Sequence, residues 1–398
     1  MSSNELLEFR TSVRALLDKH ATSAALRSAM DTELGYDPKL WRMLCEQVGV
    51  AALAIPEQWG GAGAGLVESL LVVGELGRVV ASVPMLGSAV LGVQAVLLSG
   101  DEQAYARLLP DLADGSRTAA LCWADANGWD TPGVTATNET LTGTAHYVLH
   151  GAQADLLLIL TDDGLFETTP TSPGVTITPT PSLDPTRQLA TINFTNTPAT
   201  RIGPAHAQPN GAGDLTATGN HTTAETSDLA NAQTTDNLAN AQSTGASHST
   251  AANNPATLRQ RLREIAWAAL AAEQVGAARH CLEMTVEYTA SRVQFGRPIG
   301  SFQALKHRMA DMYVLVESAE SAALAAAQAV AENSPSAAED VWVARTHCTE
   351  AFSQVAAETI QLHGGIAITW EHDAHLYFKR AHATAELFGT PRRPATVA

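Results

Sequence analysis

From Glu5 to Leu17 the apolar positions fall on one side of a helix, and Leu40-Trp41-Arg42-Met43-Leu44 opens a second helical stretch. A glycine break at Gly60-Gly61-Ala62-Gly63 interrupts this spacing, which resumes at Glu68-Ser69-Leu70-Leu71. Residues 4–115 are therefore predicted to be helical. From Thr118 to about Gly203 the texture changes to short β-rich runs, such as 154–160 and 188–194, divided by Thr, Pro, Gly and Asp. These predict a small β sandwich or barrel. After Thr257 the helical period returns almost to the end. One helix carries Leu258, Leu262, Ile265, Ala269, Leu282 and Val286 on its apolar face. A second carries Phe302, Leu305, Met309, Met312, Val316, Ala319 and Ala323. A third carries Val341, Ala344, Cys348, Phe352, Val355, Thr359 and Leu362. Ser301 is the expected N-cap of the second, and Pro335 falls in the break before the third.

Between the β-rich and final helical regions, residues 205–256 contain no Lys, Arg or aromatic residue. An imperfect repeat runs through them: Asp228-Leu229-Ala230-Asn231-Ala232-Gln233 returns as Asn237-Leu238-Ala239-Asn240-Ala241-Gln242. So little apolar surface cannot offset the entropy of ordering, so a disordered insertion is expected. The organisation predicted is α+β: a helical domain over 1–117, a β domain over 118–204, the insertion over 205–256 and a helical bundle over 257–398.

The 398 residues suffice for several packed layers. The net charge of −17 disfavours nucleic acid and anionic membranes, and it also repels polyanionic ligands. A site for such a ligand has to gather its own cations. Cys45, Cys122, Cys281 and Cys348 are too scattered for a zinc site or a disulfide framework, so no metal is expected. The acidic N-terminal stretch lacks a signal-peptide core, and no uninterrupted apolar run is long enough to span a bilayer. A cytoplasmic protein is expected.

The densest chemistry lies at Arg292-Val293-Gln294-Phe295-Gly296-Arg297-Pro298-Ile299-Gly300-Ser301-Phe302-Gln303. Arginine beside a glycine turn suits a phosphate, because the guanidinium is a permanent cation with forked donors. Spacing alone favours a helix connector with solvated arginines. The segment closely resembles the acyl-CoA dehydrogenase pattern R-x-x-F-G-x-P-I-x-x-F-Q. Gln361-Leu362-His363-Gly364-Gly365-Ile366-Ala367 is similar to that family's Q-x-x-G-G-x-G, with Ala367 for the last glycine. Segments 53–63, 75–78 and 103–115 resemble its N-terminal motifs, so the likeness covers nearly the whole chain apart from the insertion.

The resemblance implies an N-terminal helical domain, a middle β barrel or sandwich and a C-terminal four-helix bundle. It implies FAD as cofactor, and α,β-dehydrogenation of an acyl-CoA to a trans-2-enoyl-CoA, with an electron-transfer flavoprotein as reoxidant. It also implies a homo- or heterotetramer in which Arg292, Phe295 and Gln303 reach the FAD of a neighbouring subunit. Gln361, Gly364 and Gly365 would lie against its pyrophosphate, where a side chain would block the approach.

The resemblance departs at the catalytic base. The family's Glu-Gly-Thr corresponds to Phe388-Gly389-Thr390, and the alternative base position corresponds to Ala266. A phenyl ring and a methyl group accept no proton. Glu386, two residues before Phe388 on chain expected to be irregular, and Glu264 are the substitute candidates, with Glu273 a weaker third. The family's T-E-P-x-x-G-S-D has become Trp123-Ala124-Asp125-Ala126-Asn127-Gly128-Trp129-Asp130, and its W-I-T-N-G has become Tyr147-Val148-Leu149-His150-Gly151. Some bacterial members are α2β2 assemblies in which one subunit holds the base and the other completes the FAD site. This chain resembles the second kind. A displaced carboxylate in a self-sufficient enzyme and a non-catalytic scaffolding subunit are the alternatives.

Overall fold

The computed structural model describes residues 3–204, 254–391 and 393. All but the last three residues of the 205–256 insertion lie outside them. Those three already belong to a helix start: Asn254 caps it through Oδ1 to the Ala256 N–H, and Pro255 is its first residue.

The N-terminal helices are α1 (Ser3–His20), α2 (Ser23–Met30), α3 (Pro38–Met43), α4 (Leu66–Arg78), α5 (Val93–Leu98) and α6 (Glu102–Ala113). A fully buried π-helical segment, Met85–Gly92, leads into α5. Asp37 and Asp101 cap α3 and α6 by accepting backbone N–H bonds, as short polar side chains at helix starts do.

The middle domain is two sheets. The first has the order β1 (Ala119–Cys122), β6 (Leu156–Thr161), β7 (Gly164–Thr168), β10 (Thr200–Ile202). The second has the order β3 (Gly128–Pro132), β2 (Ala124–Asp125), β5 (Thr140–Leu149), β9 (Leu189–Pro198), β8 (Val175–Thr180), with β4 (Val134–Thr137) also on β5. Leu157 and Ile159 of β6 meet Ala145, Ile192 and Phe194 between the sheets. Leu156, Leu158 and Leu160 point the other way, into the core shared with the helices. A strand buried on both faces reads as a continuous apolar run rather than an alternation.

The C-terminal bundle is α7 (Pro255–Ser291), α8 (Gln303–Ala331), α9 (Ala337–His363) and α10 (Ala374–Glu386). The architecture expected from the sequence is the one observed. Helix α7 runs through the centre and crosses α4 almost backbone to backbone. A Cβ on Gly276 would lie 1.8 Å from the Gly74 carbonyl oxygen, and one on Gly77 would lie 2.2 Å from that of Glu273. Only glycine permits that crossing. Helix α8 is long and apolar enough by composition to cross a membrane. Its Met312, Val316, Ala319, Ala323 and Ala326 pack instead into the protein core. Ser301 is not its cap: the side chain donates to the Pro298 carbonyl within a 3-10 turn, and Phe302 occupies the cap position.

Candidate functional site

Helix α7 ends at Arg292, and a tight ribbon of β11 (Val293–Gln294) and β12 (Arg297–Pro298) follows. Phe295 and Gly296 at its tip have φ of 53° and 77°. Phe295 is 92 % exposed. Arg292, Arg297, Gln303, Lys306 and His307 are exposed as well, so a cationic ribbon projects from an otherwise acidic chain. At the end of α9, Gln361, Gly364 and Gly365 are also exposed, beside Ile366 and Ile368. Gly364 has φ 68° and ψ −145°, a conformation that only glycine adopts easily. A Cβ added at Gly364 or Gly365 would meet nothing within 4 Å among the described residues, so packing against them does not require glycine at 365. Both motif segments thus face outward and are open to an external group. Phe295, Ile366 and Ile368 are large apolar side chains left exposed, as on a contact surface.

The cleft between the β domain and the helical domain is different. Phe388 is buried, with φ 62°, and lies 5.7 Å from the Trp123 ring and 5.9 Å from Trp129. Trp129 packs in turn on Tyr147 at 5.1 Å. The space left among these rings, Gly87, Leu91 and Leu149 is about 10 Å³, no more than one water requires. The rings are held from behind. Trp267 Nε1 donates to the Phe388 carbonyl at 3.0 Å. Fully buried Arg345 donates through Nη2 to the carbonyls of Thr384 (2.7 Å), Ala385 (2.8 Å) and Leu387 (3.1 Å), capping α10. Burial pushes Arg345 down to about 10, which leaves it charged at neutral pH. On the β side, Arg263 donates to the Trp129 carbonyl and to Asp130 Oδ1. The segment 123–130 forms a β2–β3 hairpin. Asp125 there accepts from the Asn127 and Gly128 N–H groups and the Thr131 hydroxyl.

None of the three carboxylate candidates faces this cleft as a free base. Glu386 is the last residue of α10, exposed, and not on irregular chain as expected; the turn that follows carries Phe388 inward instead. Glu264 is buried and accepts from Arg261 Nη1 at 2.7 Å and from Gln260 at 3.1 Å. Glu273 is buried in a cluster with Arg187, Arg380 and Asp184. Arg380 Nη1 reaches Glu273 Oε1 at 2.6 Å, its Nε bonds Asp184, and Arg187 bonds the second oxygen of Glu273. Burial lowers Arg187. It also disfavours charge on Arg380, but Asp184 and Glu273 outweigh that and raise it.

His150 lines a cavity of about 30 Å³ beside this cluster, and among the described residues both its ring nitrogens lack a hydrogen-bond partner, as do Ser82 Oγ and Arg187 Nε. Burial, with Arg187 and Arg380 nearby, pushes it down to about 3. The role of Arg345, Arg380 and Arg263 has no signature in the sequence, since each acts on residues far away along the chain. Among the described residues no group of three or more His, Cys, Asp or Glu could hold a metal. The four cysteines are unpaired and buried, and burial pushes their thiols up, Cys45 and Cys348 to about 12.

Residues 3–116 match the acyl-CoA dehydrogenase N-terminal domain, and residues 264–392 match the acyl-CoA dehydrogenase C-terminal domain. The chain is 38 % identical over 390 residues to acyl-CoA dehydrogenase IpdE2 of Mycolicibacterium smegmatis, covering 98 % of this chain and 96 % of that protein. It is 39 % identical over 383 residues to IpdE2 of Mycobacterium tuberculosis, covering 96 % and 92 %. Among solved structures it superposes on the ChsE4-ChsE5 complex from Mycobacterium tuberculosis with TM-score 0.79 and 25 % identity, covering 98 % and 95 %. A variant of the Tcur3481-Tcur3483 steroid ACAD gives TM-score 0.78 and 27 % identity, covering 98 % and 94 %. Matches at both ends of the chain, a relative this similar over its whole length and the shared three-part architecture make the chain a member of the acyl-CoA dehydrogenase family of oxidoreductases.

Proposed function

We propose that this chain is the base-lacking subunit of a heteromeric, FAD-dependent acyl-CoA dehydrogenase. The observation that carries the reading is the aromatic filling of its own cleft, with Phe388 buried where the family places its glutamate. A tricyclic flavin ring does not fit among Trp123, Trp129, Tyr147 and Phe388, so this cleft is a poor match for the cofactor. The outward half is a good match for the nucleotide end of a cofactor seated in a neighbour. Arg292 and Gln303 offer a permanent cation and an amide, and Gly364-Gly365 offers open backbone for a pyrophosphate. FAD, when bound, supplies the hydride acceptor for the acyl Cβ, while the partner's glutamate takes the Cα proton to give the trans-2-enoyl-CoA. This chain's residues bind and orient, and its filled cleft keeps water and substrate out.

The solved neighbours support assembly with a homologue, since two of them come from complexes of two differently named chains. One is called a steroid enzyme, which favours a bulky acyl-CoA substrate here, reoxidised by an electron-transfer flavoprotein. The test is purification with and without a homologous subunit that carries the Glu-Gly-Thr base. The chain alone is expected to hold no flavin and to show no dehydrogenation, because losing a positioned base costs roughly two to four orders of magnitude in rate. Flavin and turnover should appear together on co-expression. One flavin per chain and ordinary turnover by the chain alone would overturn the reading.

A further inference from the structure

A second cavity, of about 340 Å³, opens between α1, α4, α7 and α8. Ala272 and Gly276 line it from α7. Trp267, which holds Phe388, precedes Gly276 by nine residues, so at ~100° per residue the two face opposite sides of the helix. The cavity shares no residue with the aromatic cluster or with the 292–303 and 361–365 segments. Its size falls within the range of small-molecule pockets.

The walls are aliphatic, chiefly Leu70, Leu71, Val275 and Leu324, and among the described residues no aromatic ring lines it. The space exists because α7 and α8 present Ala272, Ala323 and Ala327 where larger side chains would close it. One end is polar and rigid. Arg10 joins Glu75 to Glu320 there, through Nε to Glu75 Oε1 at 2.7 Å and Nη1 to Glu320 Oε1 at 2.9 Å. Glu75 is 2 % exposed and also accepts two bonds from Arg14, at 2.8 Å each. Arg279 bonds the other oxygen of Glu320.

This end dictates what the cavity accepts. Two carboxylates and one guanidinium line it, and Arg14 and Arg279 bond the same carboxylates, so these charges are already paired and a fatty carboxylate or a phosphate finds no uncommitted cation to offset its desolvation. Arg10 has donors to spare beyond its two bonds, and the carboxylate oxygens have acceptor capacity to spare. A hydroxyl satisfies both, accepting from Arg10 and donating to Glu320. An alkane leaves that spare capacity unused. We propose that the cavity between α1, α4, α7 and α8 is a binding site for a neutral aliphatic or alicyclic alcohol, its hydroxyl between Arg10 and Glu320.

The experiment is calorimetric titration of the full chain, alone and co-purified with its partner, with 1-adamantanol and with 1-adamantanecarboxylate. The alcohol should bind saturably, one per chain, and at least about tenfold more tightly than the carboxylate, because the carboxylate would lose its water without gaining a cation of its own. Ala323→Phe fills the cavity and should abolish binding. Glu320→Ala, at the partly exposed rim, leaves the walls intact and should shrink the preference for the alcohol over the carboxylate. Non-saturable binding, binding undiminished in Ala323→Phe, equal affinity for the carboxylate, or loss of binding on assembly with the partner would each overturn the site. None of these results depends on flavin content, so the proposal stands or falls separately from the subunit reading.

Discussion

Glu273→Gln separates a structural carboxylate from a catalytic one. Glu273 sits on α7 with a side chain 9 % exposed, Arg187 on one oxygen and Arg380 on the other. Arg380 and Asp184 are 2 % and 0 % exposed, and Asp184 and Arg187 belong to the loop before β9. Two cations and two anions therefore cancel inside the junction of the β domain with α7 and α10. Neutralising Glu273 leaves two guanidiniums against one carboxylate with almost no water to screen the excess. Removing one partner of a buried pair costs about 3–5 kcal/mol, because the remaining charge stays desolvated. A domain typically has only about 5–15 kcal/mol in hand, so the loss is large. Urea unfolding followed by far-UV circular dichroism reads it, with Arg380→Met expected to lose a similar amount. The double variant should lose less than the sum, since the two residues share one network. In the co-expressed assembly, turnover per folded molecule should stay unchanged in Glu273→Gln. A stability change under about 1 kcal/mol would refute the clamp, given the magnitude expected of a buried pair. A collapse of turnover with stability intact would show that Glu273 is the base.

Phe388→Ala should lower stability by about 3–5 kcal/mol, the usual cost of emptying a buried phenylalanine site, measured by the same unfolding curve. Phe388→Glu alone should not produce an active single-chain enzyme, because Trp123, Trp129 and Tyr147 still fill the cleft; an acyl-CoA turnover assay checks it. Arg292→Ala and Gly365→Val should lower flavin content of the co-expressed assembly while leaving helical content intact, read by absorbance and circular dichroism. His150 is held near 3 in the fold against 6.5 when free, so it stays neutral when folded and gains a proton on unfolding as the pH drops. Its contribution is fully present above pH 6.5 and is lost as pH falls toward 3, amounting to about 2 kcal/mol by pH 5. His150→Leu should flatten that part of the stability profile.

Local pattern was enough for the architecture. The helical period marks α1, α7, α8 and α9, and the β-rich run that becomes β6 is legible because it is buried on both faces. The motifs that locate Arg292, Phe295, Gln303, Gln361, Gly364 and Gly365 are also local, since a turn, a cation and a glycine pair act where they stand in the chain. The direction those residues face was not legible: only packing of α7 and α9 against their neighbours turns both segments outward. The fate of the carboxylates also rests on distant contacts. Whether Glu273 is a free base or a clamp depends on Arg380, 107 residues away. Whether Glu386 swings inward depends on α10 continuing to that residue, a boundary set by Arg345 capping from α9. The aromatic cluster is the clearest case. Trp123, Trp129, Tyr147 and Phe388 come from the two sides of the insertion, and nothing in their spacing predicts contact. That Phe388 cannot take a proton is legible from its letter in the chain, because proton affinity belongs to the side chain itself. That it fills the cleft is visible only in the folded molecule, because burial belongs to what surrounds a residue.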